Sequence, residues 1–192
     1  MSFKQQKKSC LDNMESYDRS LIGSVDEKIK PLVDKINSKS NFYTTSSCSG
    51  RLLLQSNVGE EKKINSQRVY ITHETISPQT MLGAVKSNLD KGDQIWLLLH
   101  SFMLHVCAKT VDDAKELLDI TRKAGLKRSG IISFSDRIMI EIIGTDYLSI
   151  PIAEKGKLIV TDGYIIRITE IMNEKLEINH KRMKKFESLL FD

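Results

Sequence analysis

The run Ile95-Trp96-Leu97-Leu98-Leu99 offers water no polar side chain on either face. Successive residues of a strand point to opposite sides. A strand apolar on both sides has to be covered on both, which places it centrally in a sheet. The next run, Phe102 to Lys109, alternates instead: Phe102, Leu104, Val106 and Ala108 share one face, Met103, His105 and Cys107 the other. This chain therefore needs a sheet with helices packed against it.

Helical signals supply that cover. Residues 3 to 17 carry Phe3, Cys10, Leu11, Met14 and Tyr17 on one side, until Gly23 breaks the pattern. Ser24-Val25-Asp26-Glu27 reads as a capping box for a second helix with the stripe Val25, Ile29, Leu32, Val33, Ile36. Pro31 falls inside and is expected to kink it. Strands are predicted over 42–46, 51–56 and 68–73, with a long polar turn from Asn57 to Gln67. Ser77-Pro78 opens a helix facing Met81, Leu82, Val85 and Leu89 inward. Thr110-Val111-Asp112-Asp113 caps another, with inner face Ala114, Leu117, Leu118 and Thr121, ending at Gly125. Strands over 131–134 and 137–143 follow, joined at Ser135-Asp136. Residues 163 to 190 form a final helix, its apolar row Ile165, Ile168, Met172, Leu176, Met183, Phe186 and Leu190 broken only by Asn179. A helix, a Ser-Gly pair and a hairpin recur around Ser49-Gly50 and Ser129-Gly130. The expected fold is α+β (mixed α/β). It is a single domain over residues 1–192, whose one mixed β-sheet is built from two related helix–hairpin halves. Terminal helices 3–17 and 163–190 flank it.

At 40% hydrophobic residues the chain can build a core. No apolar run approaches the ~20 residues of a membrane span, and no signal-peptide block opens the sequence, so a cytoplasmic protein is expected. Cys10, Cys48 and Cys107 lie far apart without a CxxC, so no metal and no disulfide framework are expected. The net charge is +4. Lys4, Lys7 and Lys8 crowd one end, and Lys175, Lys181, Arg182, Lys184 and Lys185 outnumber Glu174 and Glu177 near the other. If the terminal helices lie side by side, these clusters merge into one surface for a polyanion. Two solvated helix faces would look the same in sequence.

The known phosphate and dinucleotide loops are missing: there is no GxGxxG after a strand and no GxxxxGK[ST], nor any HExxH. What stands out is Phe-Tyr-Thr-Thr-Ser-Ser-Cys-Ser-Gly-Arg, residues 42–51. Small hydroxyls, backbone amides and a guanidinium together suit a phosphate or carboxylate, with Arg51 as bidentate anchor and Gly50 allowing close approach. A turn whose hydroxyls bond their own backbone is the competing reading. His105 sits mid-strand on the less apolar face and His73 ends its strand, and either is a core histidine or a site residue. Trp96 reads as core, or as an aromatic beside a pocket that stacks on a base.

Several segments, in order and over nearly the full length, resemble the tRNA wybutosine-synthesizing protein 3 family. They are GSVDE at 23–27, FYTTSSCSGR (similar to the family's SxSSCxGR, with Thr44 in place of its first serine), VYITHE ending at Glu74, MLHVCAK at 103–109, AGLKRSGI at 124–131, IPIAEKGKLIVTDGYI at 150–165 and NEKLEINHKRMKKF at 173–186. Two positions depart: His100-Ser101 stands where the family usually has Glu-Pro, and Lys109 where it usually has Arg.

The resemblance implies a methyltransferase that uses S-adenosyl-L-methionine. It would methylate N4 of 7-aminocarboxypropyl-demethylwyosine beside the anticodon of tRNA-Phe. The sequence leaves the oligomeric state open, with a monomer expected. A non-catalytic tRNA-binding module is the alternative, and a Cys48-dependent hydrolase a third reading. Methyl transfer needs alignment of donor and acceptor, which can supply ~7–11 kcal/mol, and a base for the N4 proton. His105 is the first candidate base and His73 the second. Ser46, Ser47, Cys48, Ser49 and Gly50 are assigned to the cofactor, with Ser129 and Gly130 as the opposite lip. Thr44, Arg51, Lys109, Lys181, Arg182, Lys184 and Lys185 are assigned to the RNA substrate.

Overall fold

The computed structural model describes residues 1–16, 26–57, 66–135 and 137–190. Its helices are α1 (Phe3–Ser16), α2 (Lys30–Asn37), α3 (Pro78–Lys86), α4 (Val111–Lys123) and α5 (Asp162–Leu189). Its strands are β1 (Phe42–Cys48), β2 (Arg51–Ser56), β3 (Arg68–Thr72), β4 (Gln94–His100), β5 (Met103–Ala108), β6 (Gly130–Phe134), β7 (Ile138–Ile143), β8 (Leu148–Glu154) and β9 (Lys157–Leu158). The α+β class is as expected. The single mixed sheet is not: two sheets form, ordered β1-β5-β7-β6 and β3-β2-β4-β8-β9, and every pairing is antiparallel.

The reason lies in the helical connections. α3 links β3 to β4 and α4 links β5 to β6, strands that run the same way and so look like neighbours of a mixed sheet. In each case a third strand, β2 or β7, inserts between them and pairs antiparallel with both. The inserted strand forms a hairpin in each case, β2–β3 or β6–β7. The anticipated order of helix, Ser-Gly pair and hairpin holds along the chain for α2, Ser49-Gly50 and β2–β3 and for α4, Ser129-Gly130 and β6–β7, but β1 intervenes in the first and the two hairpins lie in different sheets.

The chain divides into two compact units: Met1–Ser49 with Phe102–Thr145 and His180–Asp192, and Gly50–Ser101 with Asp146–Asn179. The first unit contains the four-stranded sheet. Leu104, Val106, Ile140 and Ile142 on one face are sealed by Ile29, Leu32 and Ile36, by Ala114, Leu117 and Leu126, and by Met183 and Phe186. The second contains the five-stranded sheet, where Leu52, Leu54, Leu97 and Leu99 pack with Met81, Val85, Ile165, Met172 and Leu176. Burial of this many large aliphatic side chains, at ~1.5–3 kcal/mol each, offsets the entropy of ordering the segments.

Local signals mostly set the ends of elements. Thr110 and Asp113 exchange side-chain and backbone hydrogen bonds in a capping box, and Ser77 accepts from the Thr80 amide. Pro31 is a correction: it does not kink α2 but sits in its first turn, where its missing N–H costs nothing. The start is set by Asp26, whose side chain accepts from the Lys28 amide and whose carbonyl accepts from the Ile29 and Lys30 amides. The Tyr17, Gly23, Ser24 and Val25 readings, most of the 57–67 turn and Asp136 lie outside the described residues. The β8–β9 hairpin has no counterpart in the sequence reading. Lys155 and Gly156, at φ 48° and 75°, make its two-residue turn.

Candidate active site

Period-two alternation decides what the 42–51 stretch can do. Up to Cys48 it is a strand rather than a loop, and its ladder with β5 uses backbone amides that a loop would have presented to an anion. A bulge between Thr44 and Ser46 resets the phase, so Tyr43, Ser46 and Cys48 pair with Cys107, His105 and Met103, on the face opposite the core. Thr44 and Ser47 pair with Val106 and Leu104 and turn to the core side.

Thr44 is therefore a correction. It is fully buried, its hydroxyl and amide hydrogen-bonded by the Asn37 side chain at 2.9 and 2.8 Å, and no substrate can reach it in this fold. Ser49 is likewise buried. Its hydroxyl donates to Asp26 Oδ2, and its amide lies 3.3 Å from the same oxygen. It pins the end of β1 to the start of the α2 turn. Gly50 follows at φ 97°, a conformation that favours glycine.

On the outer face, three strands align a polar row. Ser46 Oγ is 2.9 Å from His105 Nδ1, and His105 Nε2 is 3.3 Å from Glu141 Oε1. With the carboxylate accepting from Nε2–H, Nδ1 is the acceptor for the Ser46 hydroxyl. The His105 and Glu141 side chains are 27% and 31% exposed, so the row is open to a ligand and not sealed in a core. Gly130 pairs with Glu141 on the far strand, and nothing lies within 4 Å of where a Cβ would stand. Ser129 spends its hydroxyl accepting from the Ile143 amide at 3.2 Å.

Beside that row lies a buried pair, Tyr43 and Cys107, under α1. Phe3 of α1 stacks at a tilt on Tyr43 with ring centroids 5.2 Å apart, and the Cys10 thiol donates to the Thr44 carbonyl. Burial, and next the Cys107 thiol, push the Tyr43 hydroxyl up to about 12. Burial also raises Cys10 and Cys107. The Tyr43 hydroxyl is buried with no partner at hydrogen-bonding geometry, though the Arg137 guanidinium is close enough to be raised by it. Arg137 and Lys109 rim a 160 Å³ pocket floored by Phe3, Ala108 and Ile138.

The basic ends do not merge. α1 packs over Tyr43 on the outer face, whereas Met183 and Phe186 of α5 pack on the core face. Lys7 donates to the carbonyls of Asn37 and Lys39 at the end of α2, and burial lowers its pKa. Lys181, Lys184 and Lys185 are exposed, while Arg182 is half-buried and donates to Thr145 at 2.8 Å. Ser46, Cys48, His105, Lys109, Ser129 and Gly130 all belong to the first unit. Gly50, Arg51 and His73 belong to the second, with His73 just past β3. Glu141 escaped the sequence reading, yet it is the one charged residue in Ile138–Ile143, and that was its signal.

No group of three or more His, Cys, Asp or Glu side chains could hold a metal ion among the described residues, and no described helix is long and apolar enough to cross a membrane.

Known proteins resemble this chain along nearly all of its length. The "tRNA(Phe) 7-((3-amino-3-carboxypropyl)-4-demethylwyosine(37)-N(4))-methyltransferase 1" of Pyrococcus abyssi is 36% identical over 97% of this chain and 94% of its own. The tRNA wybutosine-synthesizing protein 3 homolog of Mus musculus is 33% identical over 93% of this chain and 70% of its own. The solved structure of the PH1069 protein from Pyrococcus horikoshii superposes with a TM-score of 0.88 at 35% identity, covering 97% of this chain and 95% of that one. A hypothetical protein from Aeropyrum pernix gives 0.69 at 27% identity, over 86% and 99%. The family model described as Methyltransferase TYW3 matches residues 5–192, and the chain belongs to that family.

Proposed function

We propose that this methyltransferase acts on N4 of the 7-(3-amino-3-carboxypropyl)-4-demethylwyosine at position 37 of tRNA(Phe), the substrate in the names of its relatives. The observation that carries the reading is the open Ser46–His105–Glu141 row on the outer face of the first unit's sheet.

The methyl donor is read as S-adenosyl-L-methionine, which supplies an electrophilic methyl on a sulfonium. The donor set fits such a group. Glu141 keeps Oε2 for an ammonium or ribose hydroxyl, the space beside Gly130 is open, and Cys48 is a small neighbour on the same face. Ser47 lies on the core side, and Ser49 and Ser129 are committed to internal bonds, so they shape the site from behind.

His105 is the base. Glu141 fixes its tautomer, leaving Nδ1 to take a proton, either directly or through the Ser46 hydroxyl. Ser46 then passes the N4 proton inward as the nitrogen lone pair forms its new bond. Lys109, Lys181, Lys184 and Lys185 are read as contacts to RNA phosphates, Arg51 as a substrate contact, and His73 as the second candidate base.

The test is methylation of tRNA(Phe) carrying the demethyl nucleoside, with calorimetry for S-adenosyl-L-methionine. His105→Ala is expected to bind the donor and lose ~10²–10⁴-fold in turnover. A near wild-type rate removes His105 from the reaction. No donor binding by the wild type points to an RNA-binding protein instead.

A further inference from the structure

The face of the second unit's sheet opposite Leu52, Leu54, Leu97 and Leu99 ends in an unusual row. Arg51 on β2 pairs with His100 on β4, and the next residue beyond the β4–β8 ladder is Tyr147. The His100 and Tyr147 rings stack with centroids 5.6 Å apart and planes 11° from parallel. Tyr147 is nonetheless 56% exposed, so the stack covers one side of the ring and leaves the rest to solvent. The guanidiniums of Arg51 and Arg68 are both close enough to act electrostatically on His100. A neutral imidazole can lie beneath a tyrosine between two cations without adding a third charge, and burial with those two arginines keeps His100 neutral.

We propose that the His100–Tyr147 stack is a platform for an unpaired base of the RNA substrate, with Arg51 and Arg68 meeting its phosphate. The inference rests on the RNA substrate proposed above and adds a subsite to it. A base has two π-faces and needs an exposed aromatic surface, and its backbone needs cations within a few ångströms. Tyr147 provides the first, and the two arginines whose charge reaches His100 are the cations for the second. Charge complementarity favours RNA over an apolar protein partner, because Arg51 and Arg68 both act on His100 and the acid beside Tyr147, Asp146, is paired with Lys175.

The experiment measures binding of a tRNA(Phe) transcript, and methylation of the modified tRNA, by the wild type and by Tyr147→Ala, Tyr147→Leu, Tyr147→Phe and Tyr164→Ala. Tyr164, on α5 and 43% exposed, is the control for loss of any surface aromatic. Tyr147→Ala and Tyr147→Leu are expected to weaken RNA binding roughly tenfold and to raise KM with kcat and donor affinity held. Tyr147→Phe and Tyr164→Ala are expected to stay near wild type. Leucine preserves bulk, so a loss in both Ala and Leu but not Phe reports the aromatic face and not folding. Unchanged RNA affinity in both non-aromatic variants, while the wild type still methylates, overturns the platform and leaves the function intact. So does a change in oligomeric state with unchanged RNA affinity. A wild type that does not methylate, with RNA binding still dependent on Tyr147, sinks the proposed reaction and keeps the platform.

Discussion

Ser46 Oγ sits 2.9 Å from His105 Nδ1, across a strand pair whose register a single bulge has shifted. Without that bulge Ser46 would fall out of phase with His105, and Thr45 would stand opposite it. The hydroxyl and the imidazole meet because one extra residue is accommodated in β1.

Ser46→Ala leaves His105 Nδ1 without its partner. It is expected to lower kcat about tenfold with KM little changed, and Glu141→Gln to do the same by releasing the ring tautomer. Both variants should keep wild-type thermal stability, since each side chain is partly exposed and on the face away from the aliphatic core. Steady-state kinetics against the modified tRNA checks this. Unchanged kcat in both would show the row to be structural.

Asn37 carries the opposite kind of role. Its amide satisfies both the hydroxyl and the amide of fully buried Thr44. Asn37→Ala orphans two polar groups and is expected to destabilise the fold by about 2–3 kcal/mol. Urea unfolding with an unchanged m-value is the measurement, and a loss under ~0.5 kcal/mol would mean water replaces the side chain.

How much of this was legible follows from the kind of signal. Caps and apolar stripes are local, so α3, α4 and α5 and the strands β2, β4 and β5 could be read from Ser77-Pro78, the Thr110–Asp113 box and the alternation at 102–109. Strand pairing is not local. Nothing in the sequence around α3 or α4 says that β2 or β7 will insert between the strands each helix joins, so one mixed sheet was expected where two antiparallel ones form. The site was legible in composition and not in geometry. FYTTSSCSGR stands out for its small hydroxyls, but they divide between two faces, as strand residues must, and only Ser46 reaches the histidine. Glu141 was hidden because a lone acid in an apolar strand is silent until its cross-strand neighbour is known.

His100 makes stability sensitive to acid. Burial first, then Arg51 and Arg68, lower its pKa from 6.5 to about 4. The unfolded chain therefore binds a proton that the folded chain refuses, and stability rises with pH across that window. The contribution is complete above about pH 6.5 and is lost as pH falls through 4. Allowing for partial exposure, it amounts to about 1–2 kcal/mol. Chemical denaturation at pH 7 and pH 4 should show that loss in the wild type and a flatter profile in His100→Gln. Equal slopes would mean that other groups govern the acid limb.

The exposed lysines near the end of α5 and the half-buried arginine among them should separate cleanly. Lys181, Lys184 and Lys185 face solvent, so the triple alanine variant is expected to keep its melting temperature while RNA binding weakens. Each phosphate contact removed takes about 0.7–0.9 from the slope of log K against log salt, so three should flatten it by about 2–3. Arg182 donates to Thr145 and is expected to behave differently. Arg182→Ala should cost stability of about 1 kcal/mol and leave the salt slope within one contact of wild type. Filter binding of tRNA(Phe) across a salt series, with parallel thermal melts, distinguishes the two. A triple variant with the wild-type slope would place the RNA on some other surface, since counterion release registers every phosphate neutralised, whatever the shape of the complex.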